Sequence, residues 1–219
     1  MIISSILREM RWIIFVIKRS MAVRMNKLHR LFRKNNLPKN PDGRVLVHLG
    51  CGDVDAPGFI NVDFNPAPHV HFVHDVTSLP FLSDESANLV YACHVLEHFP
   101  KEQIKNIFWE WRRVLKHGGT IRLSVPDFDK LITVYFDNSN NVESIRSALL
   151  GYLDGYNSHL LLFNFEFIKN LLEENGFINV RLWDPELVPD HGFSDWASKS
   201  LVYNGKSYFV SLNVEADKI

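Results

Sequence analysis

The sequence predicts an α/β fold built on a mostly parallel sheet of seven strands. Short apolar runs, most of them closed by Gly, Asp or Pro, alternate with longer amphipathic stretches along much of the chain. With 219 residues, 46% of them apolar and 12% aromatic, the chain is long enough for one domain with a sizeable core. The predicted strands are 45–49, 59–63, 70–74, 88–92, 120–125, 177–183 and 207–214.

Amphipathic spacing and turn residues predict the helices between these strands. One helix should begin at Pro100 and end at the His117-Gly118-Gly119 turn, because proline favours the first helical turn and glycine the end. A helix-rich stretch follows to about residue 157, and residues 165–175 form a helix that Gly176 ends. Residues 184–206 lack periodicity, so a loop is expected there.

Cysteine content and hydropathy exclude several classes of protein. Two cysteines cannot build a disulfide scaffold, and they favour a reducing, cytoplasmic location. No apolar run approaches the roughly 18 residues that a membrane-spanning helix needs. Secreted, collagenous and membrane-spanning proteins are therefore not expected.

Charge divides the chain into a basic arm at residues 1–36, a linker at 37–43 and an acidic body at 44–219. The arm has nine Lys or Arg against Glu9 alone, so it carries +8 and leaves −9 on the rest of a chain whose total is −1. An acidic body is a poor platform for phosphates, so no nucleic-acid partner is expected.

Apolar residues in the arm recur every three or four positions, which predicts an amphipathic helix. Three interpretations fit it: packing on the body or a partner, a peripheral helix on an anionic membrane, and a cleaved targeting segment. The apolar positions are Met10, Ile14, Ile17, Met21, Met25, Leu28 and Phe32.

A glycine loop and two acids follow the first three predicted strands. Gly50 and Gly52 flank Cys51, which lets the backbone turn tightly and approach a ligand. Asp63 ends the second strand, where a carboxylate can accept hydrogen bonds from a ribose diol. Asp75 and Val76 follow the third strand and suit an adenine. Open α/β sheets bind ligands at these carboxyl ends.

Four segments of the body carry a resemblance to a known family. The sequence resembles S-adenosylmethionine-dependent methyltransferases of the seven-strand class over about 45–216, and is most similar to small predicted bacterial methyltransferases linked to surface-polysaccharide synthesis. The resemblance implies a Rossmann-like sheet with an antiparallel last strand and helices on both faces. The segments are Val45–Gly52, Pro57–Asp63, His94–Phe99 and Arg113–Gly119.

By that resemblance, S-adenosylmethionine is the cofactor and seven residues would contact it. Gly50, Cys51 and Gly52 would pass its methionine part, Asp63 would hold the ribose, Asp75 and Val76 the adenine, and His94 would lie near the sulfonium.

Two departures from the family pattern concern the wall of the cofactor site. His48 stands where the family has an acid before the glycine loop. The stretch from Gly50 to Asp63 is too short for the usual helix between the first two strands. One wall of the cofactor site is therefore expected to be open, or covered by another part of the chain.

Methyl transfer requires alignment and a dry pocket, and a hydroxyl acceptor also benefits from a base. Candidate catalytic residues are His98, Asp127 and His159, with His94 and His191 as further candidate bases. Trp196 in the long loop could touch the acceptor. A sugar, glycan or small-molecule acceptor is expected, with amine, quinone-like and protein acceptors left open.

Three other functions share some of these sequence features. His94-x-x-Glu97-His98 matches an inverted zinc-peptidase motif, but Pro100 leaves no long helix to carry both histidines, so no metal site is predicted. A nicotinamide enzyme lacks the third glycine of its G-x-G-x-x-G loop. The remaining alternative is a non-catalytic binding or scaffold protein that keeps the fold.

Overall fold

The computed structural model describes residues 37–151 and 157–219. The basic arm at 1–36, with its predicted helix, lies outside the described residues, so the three interpretations of it stay predictions. None of the helices in the described ranges combines the length and the apolar character needed to cross a membrane.

Seven strands form one sheet in the order β3-β2-β1-β4-β5-β9-β6. All neighbouring strands pair in parallel except β9, which is antiparallel to both β5 and β6. The predicted Rossmann-like sheet with an antiparallel last strand is thereby confirmed. The strands are β1 Leu46–Leu49, β2 Phe59–Asp63, β3 Phe72–Val73, β4 Ala87–Cys93, β5 Leu115–Pro126, β6 Phe177–Leu182, β7 Ser200–Tyr203, β8 Lys206–Phe209 and β9 Ser211–Lys218.

Four α-helices lie in the described residues: α1 Lys101–Val114, α2 Phe128–Asp137, α3 Arg146–Leu150 and α4 Phe165–Glu174. Short 3-10 helices cover Leu96–His98 and Val142–Ser144. Helix α1 buries the predicted apolar face but ends before the His117-Gly118-Gly119 turn. Leu115 adopts an extended backbone and pairs with Ala87 across a bulge, so β5 begins directly after the helix.

The two faces of the sheet are covered differently. Alternate strand residues such as Val47 and Leu49 belong to the core that α1 and α4 complete. On the other face, Leu46 and Tyr91 pack against residues of the 183–197 segment, including Trp183. Helices were predicted on both faces, yet this second cluster in the described residues contains no helix. The physical reason is the short 50–63 connection, which has no room for one.

A two-stranded hairpin, β7–β8, corrects the prediction of a loop over 184–206 and a strand over 207–214. Asn204 and Gly205 turn the chain with φ of 50° and 77°, the geometry of a type I′ hairpin turn. The Asn-Gly pair was the sequence signal for it. The seventh strand of the main sheet therefore starts only at Ser211.

Residues 37–43, predicted to be a linker, contact the body. Leu37 packs against the main core. The side-chain amide of Asn40 donates to the carbonyls of Arg44 and Gly58, at 2.8 Å and 3.0 Å. These contacts fix the chain immediately before β1.

Candidate functional site

The glycine loop follows β1 and requires its glycines. Gly50 and Gly52 have φ of 64° and 53°, which most side chains disfavour. A Cβ on Gly50 would come within 2.5 Å of a methyl carbon of Val95. The Cys51 N–H donates to the carbonyl of Val62 at 3.2 Å, so the loop is held beside the end of β2.

Asp63, at the end of β2, is joined to this loop by a hydrogen bond. Its Oδ2 accepts from the Gly52 N–H at 2.8 Å, and its Oδ1 accepts from the Asn65 N–H at 2.7 Å. Each carboxylate oxygen has a second lone pair, so the pair can still accept from a ribose diol. The residues predicted for the methionine and ribose parts of S-adenosylmethionine thus lie together and fit those groups.

The predicted adenine residues continue the same edge. The His74 N–H donates to the Asp63 carbonyl at 2.9 Å, which places Asp75 and Val76 next to the ribose position. Val76 is buried, and its carbonyl accepts from the Trp111 indole at 2.8 Å. A fixed apolar residue beside an exposed acid is compatible with an adenine ring and its amine.

His94 follows β4 in a strained conformation, with φ of 53°. Its Nε2 lies 2.9 Å from the Ser211 hydroxyl oxygen, and that hydroxyl donates its proton to the carbonyl of Trp196 at 2.7 Å. Nε2 must therefore donate to Ser211. Nδ1 lies 3.1 Å from a Glu97 oxygen, so both ring nitrogens of His94 lie beside oxygen atoms.

Glu97, His98 and His159 form a cluster at the same end of the sheet. One side-chain ligand atom from each lies within 4.8 Å of the other two, and the two histidine rings are 5.2 Å apart. The Leu160 N–H donates to the Glu97 carbonyl at 2.6 Å, which brings the 158–161 segment to the 3-10 helix. Two of the three predicted catalytic residues, His98 and His159, are thus neighbours.

Burial and neighbouring charges act in opposite directions on the pKa values of Glu97 and His159. Burial acts to raise the pKa of the Glu97 carboxyl, but His94 and His98 outweigh it and the pKa is lowered. Burial lowers the pKa of His159 more than the Glu97 charge raises it. At neutral pH Glu97 is therefore a carboxylate, and His159 is neutral with one free lone pair.

Asp127, the third predicted catalytic residue, caps helix α2. Its Oδ1 accepts from the Asp129 and Lys130 N–H groups at 3.1 Å and 3.4 Å, and its Oδ2 lies 3.5 Å from the Lys130 ammonium. These contacts occupy both carboxylate oxygens. A catalytic role for Asp127 stays a prediction, and the geometry supplies a structural role.

His191 lies elsewhere, in the cluster on the second face of the sheet. Its ring is 5.5 Å from that of Tyr91 and 4.3 Å from that of Phe193. Its Nε2 lies 3.4 Å from the Asp195 carboxylate. His191 is therefore not brought to the histidine pair.

The two cysteines are free thiols. Burial raises the pKa of Cys51 to about 12 and also raises that of Cys93. At neutral pH both are protonated and poorly nucleophilic. Neither thiol is therefore a candidate nucleophile.

Two residues of the site were missed as candidates by sequence reasoning. Glu97 appeared only as part of a rejected zinc motif, although the His-x-x-Glu-His pattern was the signal for the cluster. Ser211, which orients His94, starts the strand whose boundary was misplaced. No feature of the local sequence identified it.

A family model described as a methyltransferase domain matches residues 56–123, which include β2, β3, β4 and α1. No curated protein sequence is significantly similar to the chain. The match covers the acids after β2 and β3 and the whole His94–His98 segment.

Solved structures share the fold. A SAM-dependent methyltransferase from Archaeoglobus fulgidus is 16% identical, with a TM-score of 0.50 over 91% of this chain and 94% of that one. The DszA carbon methyltransferase is 17% identical, with a TM-score of 0.50 over 87% of this chain and 50% of that one. Residues 56–123 therefore match a methyltransferase domain, and the chain has the fold of S-adenosylmethionine-dependent methyltransferases.

Proposed function

From this S-adenosylmethionine-dependent methyltransferase domain, we propose that the chain methylates a hydroxyl oxygen on a sugar, glycan intermediate or other small molecule. The observation that carries this choice is the Glu97, His98 and His159 cluster at the carboxyl end of β4. A thiol or carboxylate acceptor needs little help with a proton, whereas a hydroxyl acceptor benefits from basic groups beside it.

The glycine loop and Asp63 would bind and orient the cofactor, which supplies an electrophilic methyl group on its sulfonium when bound. The hydrogen bond between Asp63 and Gly52 fixes the ribose and methionine subsites relative to each other. Correct alignment of the methyl group with an acceptor oxygen supplies much of the rate.

His98 or His159 would take the hydroxyl proton. The Nδ1 atom of His98 is 3.2 Å from the Ser158 carbonyl, to which it donates, so Nε2 is the ring nitrogen left to accept a proton. His159 is neutral at pH 7 by the pKa argument above. His94, with both nitrogens engaged, would position Glu97 rather than accept a proton.

Exposed apolar side chains next to the cluster would contact the acceptor. Leu160 and Leu162 are 58% and 48% exposed, and Trp196, whose ring lies 5.8 Å from that of His94, is 43% exposed. Aromatic and aliphatic rims of this kind suit a sugar ring or the apolar part of a glycan carrier. The resemblance to polysaccharide-linked enzymes agrees with that acceptor class, and with action in the cytoplasm near a membrane.

Calorimetric titration with S-adenosylmethionine tests the cofactor site. Wild type should bind, and Asp63→Asn or Gly50→Val should lose about tenfold or more in affinity, because a ribose ligand or the loop geometry is lost. Asp42→Asn, an exposed carboxylate before β1, is the matched control and should bind like wild type. Equal binding by all variants would refute the site. Absence of binding by folded wild type would favour the alternative of a non-catalytic scaffold.

Methylation of a panel of hydroxylated sugars and glycans tests the acceptor chemistry. His98→Ala and His159→Ala should lower kcat by about 100-fold while the affinity for S-adenosylmethionine is kept. Methylation confined to amine acceptors, unaffected by either substitution, would contradict the proposal.

A further inference from the structure

We propose that Glu97, His98 and His159 bind a divalent first-row transition-metal ion. The ion would hold and activate the acceptor hydroxyl. This role rests on the proposed function, whereas the existence of the ion-binding site does not depend on it. The sequence alone predicted no metal site, and the geometry of these three residues revises that expectation.

The three ligand atoms already lie close to a coordinating arrangement. Metal bonds to imidazole nitrogen and carboxylate oxygen are about 2.0 to 2.2 Å long, so ligand atoms in a tetrahedral site lie about 3.3 to 3.6 Å apart. The three atoms lie within 4.8 Å of one another, so side-chain movements of about an ångström would bring them to that spacing. Glu97 and His98 lie on a short 3-10 helix, and His159 is tied to the same backbone through Leu160.

The state of Glu97 points independently to a cation. Its side chain is fully buried, and His94 Nδ1 lies 3.1 Å from Oε1 at one side of the carboxylate. Within the described residues no well-aligned hydrogen-bond donor faces Oε2. A buried carboxylate with incomplete partners is costly, and a bound ion would complete its coordination.

Neighbouring residues hold the rings of His98 and His159 in positions suited to metal ligands. The hydrogen bond from His98 Nδ1 to the Ser158 carbonyl fixes the ring and leaves Nε2 as the nitrogen that can bind an ion, as the outer contacts of metal-bound histidines do. The Nδ1 atom of His159 is buried without a well-aligned hydrogen-bond partner. Gly151 packs so closely that a Cβ there would come within 2.8 Å of the His159 ring. Each ring is therefore held where a ligand nitrogen is needed.

The donor set defines the class of ion and its use. Two imidazoles and one carboxylate favour zinc, cobalt, iron or manganese over magnesium and calcium, which prefer oxygen ligands throughout. Three protein ligands leave coordination positions open for an acceptor hydroxyl, whose pKa the ion would lower. The hydroxyl proton would pass to solvent water. The oxygen then forms a bond to the methyl carbon while the sulfonium carbon–sulfur bond breaks, leaving its electron pair on sulfur.

This arrangement differs from the peptidase motif considered for the sequence. His94 is turned to Ser211 and is not one of the three ligands. The third ligand comes from the distant 158–161 segment instead.

Titration of the untagged full-length protein with Co²⁺ tests the site, after dialysis against a chelator. Calorimetry should give one ion per chain, and visible absorption should report coordination by nitrogen and oxygen. Glu97→Gln and His159→Ala should each weaken binding about tenfold or more. His117→Ala, which removes an exposed histidine, is the matched control and should bind like wild type. His159 is less buried than Glu97, so this variant keeps the test decisive if Glu97→Gln fails to fold.

Two outcomes would overturn the site: no cobalt binding by folded wild type, or equal binding by both ligand variants and wild type. A parallel titration with S-adenosylmethionine separates this inference from the proposed function. Cobalt binding without cofactor binding would support the ion site and contradict the proposed function. Cofactor binding without cobalt binding would do the reverse and leave His98 or His159 as the base.

Discussion

His48 stands directly before the glycine loop region, at a position where the resembled family has an acid. It is 2% exposed, and its ring packs 4.9 Å from that of Tyr91 and 5.9 Å from that of Phe193. Burial lowers its pKa to about 4, with the Asp195 charge opposing and His191 and His69 adding to the effect. The residue that stands where the resembled family has an acid is thus a neutral part of the core on the second sheet face.

We therefore expect His48 to make the protein less stable in acid. The unfolded chain binds a proton near pH 6.5 and the folded chain only near pH 4, so stability is full above pH 6.5 and falls as the pH drops to about 4. The loss attributable to His48 should be about 3 kcal/mol in the free energy of unfolding. Denaturant unfolding measured between pH 4 and 7 gives the free energy of unfolding at each pH. This free energy should change less steeply with pH for His48→Phe than for wild type. His117→Phe, at an exposed histidine, should keep the wild-type slope; equal slopes for His48→Phe and wild type would contradict the argument.

At the scale of secondary structure, end residues decide where several elements start and stop. Asp127 caps α2, Asn164 caps α4 through a 3.0 Å hydrogen bond to the Phe167 N–H, and Asn204-Gly205 turns the β7–β8 hairpin. Local chemistry of this kind is visible in the sequence. The alternation of apolar and polar residues in Ser207–Val214 continues past Phe209, so it does not show that a strand ends there. The sequence therefore predicted one strand where the structure has the end of β8 and the start of β9.

Substitutions of Asp127 separate capping from catalysis. Asp127→Ala should lower the free energy of unfolding by about 1 kcal/mol, because two backbone N–H groups lose their acceptor. Asp127→Asn, which can still cap, should keep both stability and methyl transfer. Thermal unfolding and a turnover assay on both variants provide the measurement. Loss of turnover in a stable Asp127→Asn protein would instead establish the predicted catalytic role.

At the scale of the whole molecule, the cover of the second sheet face depends on residues distant in the sequence. The connection from Gly50 to Asp63 has no helix, and the 183–197 segment packs there instead. The Tyr91 hydroxyl donates to the buried Asp195 carboxylate at 2.6 Å, and the Arg44 guanidinium bonds both oxygens of Asp190. A segment predicted to be loop is thus anchored to the sheet by aromatic packing and buried charge.

Removing the Tyr91 hydroxyl should weaken the packing of the 183–197 segment on the sheet. Tyr91→Phe should lower the free energy of unfolding by about 1 to 3 kcal/mol, because the buried Asp195 carboxylate loses a donor. It should also speed proteolysis within 184–199. Tyr203→Phe, which removes an exposed hydroxyl bonded to Asn141, should change neither quantity. Unchanged proteolysis and stability in Tyr91→Phe would show that the segment is held by other contacts.

The sequence by itself determined the positions of most strands along the chain, the glycine loop and the acids after β2 and β3. These features depend on hydrophobic periodicity and turn chemistry, which act between residues close in the chain. Only the tertiary structure decided that His159 meets Glu97 and His98, and that residues 183–197 cover the sheet face left without a helix. Contacts of this kind depend on packing between segments that are distant in the sequence. No local pattern encodes the hydrogen bond from the Leu160 N–H to the Glu97 carbonyl, which joins the cluster.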